Sequence, residues 1–120
     1  MSIYYRVGDK DTRPWGTWEV IDTGLNYIVK KIIVMPGQQL SLQLHHHRDE
    51  SWMIADGTAE VTLDDQIFSA PANTPIVIRA EQKHRVANRT DKPVTFIEIQ
   101  TGETLDENDI VRLQDDYGRV

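Results

Sequence analysis

The chain has 120 residues, of which 39% are hydrophobic and 27% charged, which is the size and composition of one ordinary globular domain. Its formal net charge of −6 argues against nucleic acid as the main partner, since neutralising phosphates requires a basic surface. Because the chain has no cysteine, it can form neither a disulfide nor a thiolate metal site. It also shows no apolar membrane span and no signal-peptide core, so we expect one cytoplasmic domain over residues 1–120 that does not contact a membrane.

Short strands separated by turns follow one another along the chain. Turns are predicted at Pro36–Gly37, at Asp56–Gly57 and over residues 90–93, and the sequence over 104–107 fits a capping box that predicts a single helical turn. Many short strands with a turn every ~8–12 residues are typical of an all-β antiparallel sandwich or barrel, jelly rolls included, with little helix. The predicted strands are 17–22, 27–35, 40–47, 51–55, 58–63, 66–69, 76–78, 83–88 and 94–100.

The strand predicted over 40–47 ends in a histidine run. Leucines at 40, 42 and 44 alternate with polar residues that continue through His45 and His47. Residues two apart on a strand point to the same face, so we expect one leucine face and one polar face ending in two imidazoles. A polar strand face inside a small domain indicates a lined cavity.

Glu50 follows the histidine run, and the single His84 lies further along the chain. Three imidazoles and one carboxylate suit one divalent ion, such as Zn, Mn, Co, Ni or Fe. We therefore predict a metal site made of His45, His47, Glu50 and His84; the alternative is a solvated histidine run. Strict alternation places Asp49 rather than Glu50 beside His47, so a bulge or turn is expected before Glu50.

Cations gather around His84. One interpretation is that these side chains are simply exposed to solvent at the rim of the site. The alternative is that they bind a small anionic ligand near the metal, because the guanidinium group of arginine matches the geometry of phosphate oxygens. The residues are Arg79, Lys83, Arg85 and Arg89.

These positions resemble the cupin superfamily. The first cupin motif is matched by His45, His47, Glu50 and Gly57, and the second by His84 and Asn88. Nearly the whole chain is similar to the C-terminal cupin domain of type II mannose-6-phosphate isomerases, bifunctional proteins that also carry a mannose-1-phosphate guanylyltransferase domain. The similar segments are 13–16, 27–30, 36–43, 45–52, 57–59, 84–85, 88, 97–102 and 109–112, and residues 115, 117, 118 and 119.

The resemblance implies a jelly-roll barrel that forms a homodimer. It implies a metal-dependent isomerase of mannose 6-phosphate and fructose 6-phosphate in GDP-mannose and polysaccharide synthesis, with a small sugar phosphate as its ligand. The chain has no room for the nucleotidyltransferase domain, so guanylyl transfer is not expected from it, and a separate nucleotidyltransferase protein is a possible partner.

Four positions depart from the pattern. Asp49 and Ser51 stand where the family usually has alanine and histidine, and Arg79 and Glu81 stand where the general cupin pattern has proline and glycine. The histidine that is replaced by Ser51 would lie next to the metal glutamate.

The implied reaction moves a proton between C1 and C2 through an enediolate and needs a general base with a pKa near neutral. Glu98 is the candidate base, because it shares a strand face with Phe96 and Gln100, where burial would raise its pKa; the alternative is that it faces water. Arg85 is the second catalytic candidate, although regular strands would turn both Arg48 and Arg85 away from the metal histidines.

The substrate-binding candidates lie around the expected barrel mouth. Lys30, Arg112 and Arg119 are the phosphate candidates and Gln43 is a further binding residue, all at positions of the family motif. Trp52 has the same strand parity as Glu50 and is expected to wall the cavity.

Two functions from different classes therefore compete. The first is the sugar-phosphate isomerase, favoured by the basic cluster and the full-length similarity. The second is a non-catalytic or differently catalytic metal-binding cupin that binds a sugar phosphate or nucleotide-sugar, favoured by Ser51 and the missing nucleotidyltransferase domain.

Overall fold

The computed structural model describes residues 5–106 and 108–116. Within them lie the strands β1 (Lys10–Arg13), β2 (Gly16–Thr23), β3 (Tyr27–Val34), β4 (Leu42–Leu44), β5 (Asp49–Asp56), β6 (Thr58–Leu63), β7 (Gln66–Pro71), β8 (Pro75–Ile78), β9 (His84–Ala87), β10 (Val94–Thr101) and β11 (Val111–Gln114).

The strands form two antiparallel sheets. One has the order β1-β2-β3-β10-β5-β8 and the other the order β11-β4-β9-β6-β7. No helix occurs among the described residues, so the prediction of an antiparallel jelly-roll barrel with little helix is confirmed. In the same part of the chain, no helix has the length and apolar character that a membrane crossing requires.

The inward row of β10 divides the barrel interior into two halves. Val94 and Phe96 are fully buried in an apolar core, whereas the next two inward residues are the buried Glu98 and Gln100. The flanking strands change in part as well. Phe96 pairs with Ile32 and Ile54, whereas the next two rows bring in the polar Lys30 and Glu50 beside Trp52 and Ile28. One half of the barrel is therefore a packed core and the other half a polar cavity.

Most predicted strands are present, and the differences lie at the ends of the chain and at the histidines. The edge strands β1 and β11 are outside the predicted set because their exposed sequences, Lys10–Arg13 and Val111–Gln114, lack a buried apolar row. The strand predicted over 40–47 shortens to β4, and His46 and His47 lie in a bend. The helical turn predicted over 104–107 does not form in residues 104–106; residue 107 is outside the described residues.

The turn predicted at Asp56–Gly57 joins β5 to β6. Gly57 has a φ of +80°, and a Cβ there would lie 2.7 Å from the carbonyl oxygen of Pro93. The turn therefore requires glycine both for its backbone angle and for this close approach.

Asn88 ties the loop after β9 to the core. Its Nδ2 donates to the carbonyl oxygens of Val34 (3.0 Å) and Lys92 (2.7 Å), and its Oδ1 accepts from the backbone N–H (2.9 Å) and hydroxyl (2.7 Å) of Thr90. Because Asn88 is 0% exposed, water cannot replace these four hydrogen bonds of its side chain. Its place in the cupin motif is thus explained by structure rather than by chemistry.

We expect Asn88→Ala to lower the free energy of unfolding by about 1–3 kcal/mol, because it leaves buried donors and acceptors unsatisfied. The measurement is urea unfolding followed by tryptophan fluorescence. The matched control is Asn26→Ala at an exposed position, expected to change stability by less than about 0.5 kcal/mol. Equal effects of the two substitutions would contradict this assignment.

Candidate metal centre and cavity

Three of the four predicted metal ligands converge inside the barrel. His45 follows β4, Glu50 lies in β5 and His84 begins β9, and a ligand atom from each lies within 4.8 Å of the others. The Nε2 atom of His45 is 3.1 Å from Oε2 of Glu50, and Nε2 of His84 is 4.0 Å from Oε1 of the same carboxylate. The three residues are all buried. We refer to them as the His-Glu-His cluster.

Backbone carbonyls orient both imidazoles of the cluster. Nδ1 of His45 lies 2.6 Å from the carbonyl oxygen of Asp109, and Nδ1 of His84 lies 3.0 Å from that of Gln82. A carbonyl oxygen can only accept, so each Nδ1 is assigned the proton, and each Nε2 is directed into the cluster. Metal-binding histidines are held by this type of outer hydrogen bond.

The ionisation states also suit a divalent ion. Burial by itself opposes the charge of Glu50, but the nearby Arg48, together with His45 and His84, holds the pKa of this carboxyl well below its usual range. Burial lowers the pKa of His84, which favours the neutral imidazole. An anionic carboxylate and a neutral imidazole are the forms that bind a metal, so the residues present fit one.

His47 lies outside the cluster. The chain bends at His46 and His47, and the carboxylate of Asp109 accepts the backbone N–H groups of both residues at 2.8 and 2.9 Å. The side chain of His47 is consequently exposed. The prediction that His45 and His47 share a strand face is wrong, because the strand ends at Leu44, before either histidine.

Gln43 takes the position beside the cluster that the alternation assigned to His47. It lies in β4 two residues before His45, pairs in register with His84, and lines the small pocket that the cluster also lines. We infer that Gln43, predicted as a substrate-binding residue, is the better candidate for a fourth ligand. The alternation of the strand already contained this pair, since Gln43 and His45 are two residues apart, as are His45 and His47.

Arg48 contacts the cluster directly. Its Nε donates to Oε2 of Glu50 at 2.9 Å, a terminal nitrogen lies 3.0 Å from Nε2 of His45, and its side chain is 10% exposed. The expectation that it points away is wrong, since the bend at His46 and His47 resets the alternation. Trp52 completes the support by donating from Nε1 to Oε1 of Glu50 at 2.9 Å and lines the pocket as predicted.

Arg85, the second predicted catalytic residue, borders the same pocket but is engaged with the backbone. Its Nε donates to the carbonyl oxygen of Leu40 at 3.0 Å, and its guanidinium reaches the carbonyl oxygen of Gln114 at 3.3 Å. These bonds fasten the segments around β4 and β11 to β9.

A cavity of about 470 Å³ opens beside the cluster, within the ~300–1,000 Å³ range of small-molecule sites. Lys30 is buried in its wall, with the ammonium 4.1 Å from the ring centroid of Tyr5 and 4.6 Å from that of Trp18. Arg112 lines the cavity as predicted, and Arg119 lies outside the described residues. The cationic lining residues are Arg13, Lys30, Arg48 and Arg112.

Glu98 is buried in this wall rather than facing water. It is 6% exposed and lies in register between Lys30 and Trp52, and its Oε1 accepts from Nε2 of Gln100 at 2.6 Å. Burial and the charge of Glu50 raise its pKa to about 7, while Arg48, Lys30 and the bond from Gln100 act in the opposite direction.

None of the four residues that depart from the family pattern lines the small pocket of the His-Glu-His cluster. Ser51 is exposed on the outer face of β5. Asp49 accepts from the backbone N–H of Ala80 at 2.8 Å and from Arg79 at 3.3 Å, and Glu81 accepts from Nδ1 of His46 at 3.0 Å. Asp49, Arg79 and Glu81 thus support the loop before β9, and the backbone N–H of Glu81 also donates to the carbonyl oxygen of His45 at 2.7 Å.

The fold and the buried cluster define a double-stranded β-helix, or cupin, domain. A solved structure from Klebsiella pneumoniae, described as an uncharacterized conserved protein with a double-stranded β-helix domain, superposes with a TM-score of 0.70 at 18% identity, covering 78% of this chain and 80% of that one.

The sequence family described as "Mannose-6-phosphate isomerase C-terminal" matches residues 4–115, and the chain belongs to this family. The alginate biosynthesis protein AlgA of Pseudomonas aeruginosa is 48% identical over 108 residues, which are 90% of this chain and 22% of that protein. The mannose-1-phosphate guanylyltransferase of Escherichia coli K12 is 44% identical over 116 residues, 97% of this chain and 24% of that protein. The chain thus spans less than a quarter of these relatives.

The raised pKa of Glu98 predicts a pH-dependent stability. A folded pKa of about 7, against 4.5 ordinarily, means that the folded state favours the protonated form. The resulting stabilisation is fully present below pH 4.5 and is lost as the pH rises through 7. Relative to Glu98→Gln, we therefore expect the wild-type free energy of unfolding to fall by roughly 3 kcal/mol across this window.

The measurement is urea unfolding of both proteins from pH 4.5 to pH 8. The exposed Glu103→Gln serves as control and is expected to follow the wild type at every pH. A constant difference between the wild type and Glu98→Gln would show that Glu98 titrates alike in the folded and unfolded states.

Proposed function

We propose that this domain is a metal-dependent isomerase that interconverts mannose 6-phosphate and fructose 6-phosphate, in the synthesis of GDP-mannose and polysaccharide. The observation that carries the proposal is the placement of buried Glu98 in the same pocket as the His-Glu-His cluster. A general base and a metal-binding carboxylate with opposite pKa shifts are what proton transfer next to a carbonyl requires.

The relatives support this pathway. The family description names mannose-6-phosphate isomerase, and the two relatives above are named for alginate biosynthesis and for guanylyl transfer to mannose 1-phosphate. A homodimer, a cytoplasmic location and a nucleotidyltransferase partner remain proposals that rest on this likeness.

The metal would be held by His45, Glu50 and His84, with the amide oxygen of Gln43 as the fourth ligand. Imidazole and carboxylate donors suit Zn, Mn, Co, Ni or Fe alike. When bound, the ion would supply Lewis-acid polarisation of the sugar carbonyl and hydroxyl oxygens.

Glu98 would move the proton. With a pKa of about 7, a large fraction of its carboxyl is ionised at neutral pH and can accept the proton from C2 of the aldose. The same carboxylic acid then returns the proton to C1, while the hydroxyl proton of O2 passes to O1 across the enediolate. Neither proton nor charge is then gained or lost over the reaction. Gln100 holds Oε1 of Glu98, which fixes the carboxyl in the cavity wall.

The cavity cations would hold the phosphate. Lys30 is positioned by the Tyr5 and Trp18 rings, and Arg13 and Arg112 line the same cavity. The guanidinium groups offer forked donors to phosphate oxygens. Arg119, a candidate from the family motif, belongs to the part of the chain that is not described.

The metal assignment predicts different effects for two neighbouring histidines. We expect His45→Ala and His84→Ala to weaken divalent-metal binding at least ~100-fold, since outer hydrogen-bond partners alone account for ~10–100-fold. Gln43→Ala should weaken it as well, whereas the matched control His47→Ala should not, because its side chain is exposed outside the cluster. The measurement is calorimetric titration of the chelator-treated protein; a loss in His47→Ala without one in Gln43→Ala would reverse the ligand assignment.

The base assignment predicts a loss of activity without a loss of metal. In a coupled assay of mannose 6-phosphate with added divalent metals, Glu98→Gln should lower kcat/KM by about 10²–10⁴ while metal affinity is retained. Wild-type kcat/KM should rise with pH through about 7, because the base acts in its ionised form. The exposed Glu103→Gln is the control. An inactive wild type that still binds both metal and sugar phosphate would favour the non-catalytic cupin instead.

A further inference from the structure

Gln100 presents a buried hydrogen-bond acceptor to the cavity. Its side chain is 1% exposed and lines the 470 Å³ cavity. The amide nitrogen is used by Glu98, but among the described residues Oε1 of Gln100 has no hydrogen-bond partner. A buried acceptor without a donor costs free energy, and in native structures it calls for a specific partner.

The surroundings in the sheet offer no donor to this oxygen. Gln100 lies in β10 in register between Ile28 and Glu50. Ile28 is apolar, and Glu50 is an acceptor whose two oxygens already receive hydrogen bonds from Trp52 and Arg48. The sheet thus leaves this oxygen to a donor from the cavity that Gln100 lines.

The orientation of the amide is determined by Glu98. Rotating it by half a turn would place Oε1 of Gln100 against the carboxylate oxygen that now accepts from Nε2 at 2.6 Å. Two acceptors at that distance repel each other, so with Glu98 ionised the amide oxygen stays directed away from Glu98. β10 is paired on both sides along its length, which fixes the position of Gln100 in the wall.

We propose that Gln100 is a specificity-determining residue whose Oε1 accepts a hydrogen bond from the C3 hydroxyl of the sugar phosphate, while its Nε2 positions Glu98. This inference rests on the proposed isomerase function. C3 adjoins the carbons between which Glu98 would transfer the proton, and Gln100 adjoins Glu98 on the inward face of β10. The contact would select sugars with a free hydroxyl next to the reacting carbons and align them with the base.

The test is a binding cycle that requires no turnover. The probes are mannitol 6-phosphate, which has no carbonyl to isomerise, and its 3-deoxy counterpart, titrated calorimetrically into the metal-loaded full chain. The wild type should bind the 3-deoxy compound at least about tenfold more weakly, because it leaves Oε1 without a donor. In Gln100→Met, which has similar length and no acceptor oxygen, the two probes should bind within about twofold of each other.

Two further variants separate recognition from folding. Gln100→Glu keeps an acceptor oxygen and, by sharing one proton with the adjacent carboxyl of Glu98, also keeps the bond to Glu98, so it should retain the preference for the 3-hydroxyl. Gln66→Met, at an exposed glutamine in β7, should behave as the wild type. Equal binding of the two probes by the wild type, or an undiminished preference in folded Gln100→Met, would overturn the proposal. Should Gln100→Met fail to fold, the wild-type comparison and Gln100→Glu decide alone.

The outcome is independent of the activity assay. Failure of mannose 6-phosphate turnover would refute the isomerase function and leave the binding cycle readable. Active wild-type enzyme with no 3-hydroxyl preference would refute only the role of Gln100. In the active enzyme, Gln100→Met should lower kcat as well as raise KM, since Glu98 loses the donor that positions it.

Discussion

The carboxylate of Glu50 is 2% exposed, and the polar half of the barrel is arranged around the need to stabilise that charge. An ionised carboxylate removed from water is tolerated only when it is paired and hydrogen-bonded. Arg48 supplies the countercharge, Trp52 supplies a neutral donor, and the two cluster imidazoles complete the surroundings. Polar side chains consequently enter the inward rows of three neighbouring strands, as Glu50 in β5, Glu98 and Gln100 in β10 and Lys30 in β3, and this change separates the cavity from the apolar core.

A second carboxylate in the same wall has the opposite properties. Glu98 lies in the strand next to Glu50, but burial and the charge of Glu50 raise its pKa, whereas Arg48 and the cluster histidines lower that of Glu50. Two like charges in one poorly solvated cavity cannot both ionise freely. The environment thus favours the charged form of one carboxylate and the protonated form of the other, although the two residues are chemically identical.

The bend that shapes the cluster depends on residues far apart in the chain. Asp109 holds it from outside, accepting the backbone N–H groups of His46 and His47, and its own carbonyl oxygen orients the ring of His45. The segment before β11 is therefore part of the site, which accounts for the extension of family similarity to this region. Two of the departures pair with each other, Asp49 at the start of β5 and Arg79 in the loop before β9.

The sequence by itself determined the class of fold, most of the strands and the chemistry of the cavity. Alternation located β10 and placed Glu98 on one face with Phe96 and Gln100, and turn residues located the β5–β6 hairpin. Residue type singled out His45, Glu50 and His84 as candidate metal ligands, and the structure brings these three together. Only the tertiary structure decided that Gln43 rather than His47 lies beside the cluster. It also placed Arg48 in contact with the cluster and ended β4 before the histidines. A period of two identifies which residues of a strand share a face, but it does not show where the strand ends. Here the bend after β4 is held by the carboxylate of Asp109, more than sixty residues away, and the local sequence does not contain that contact.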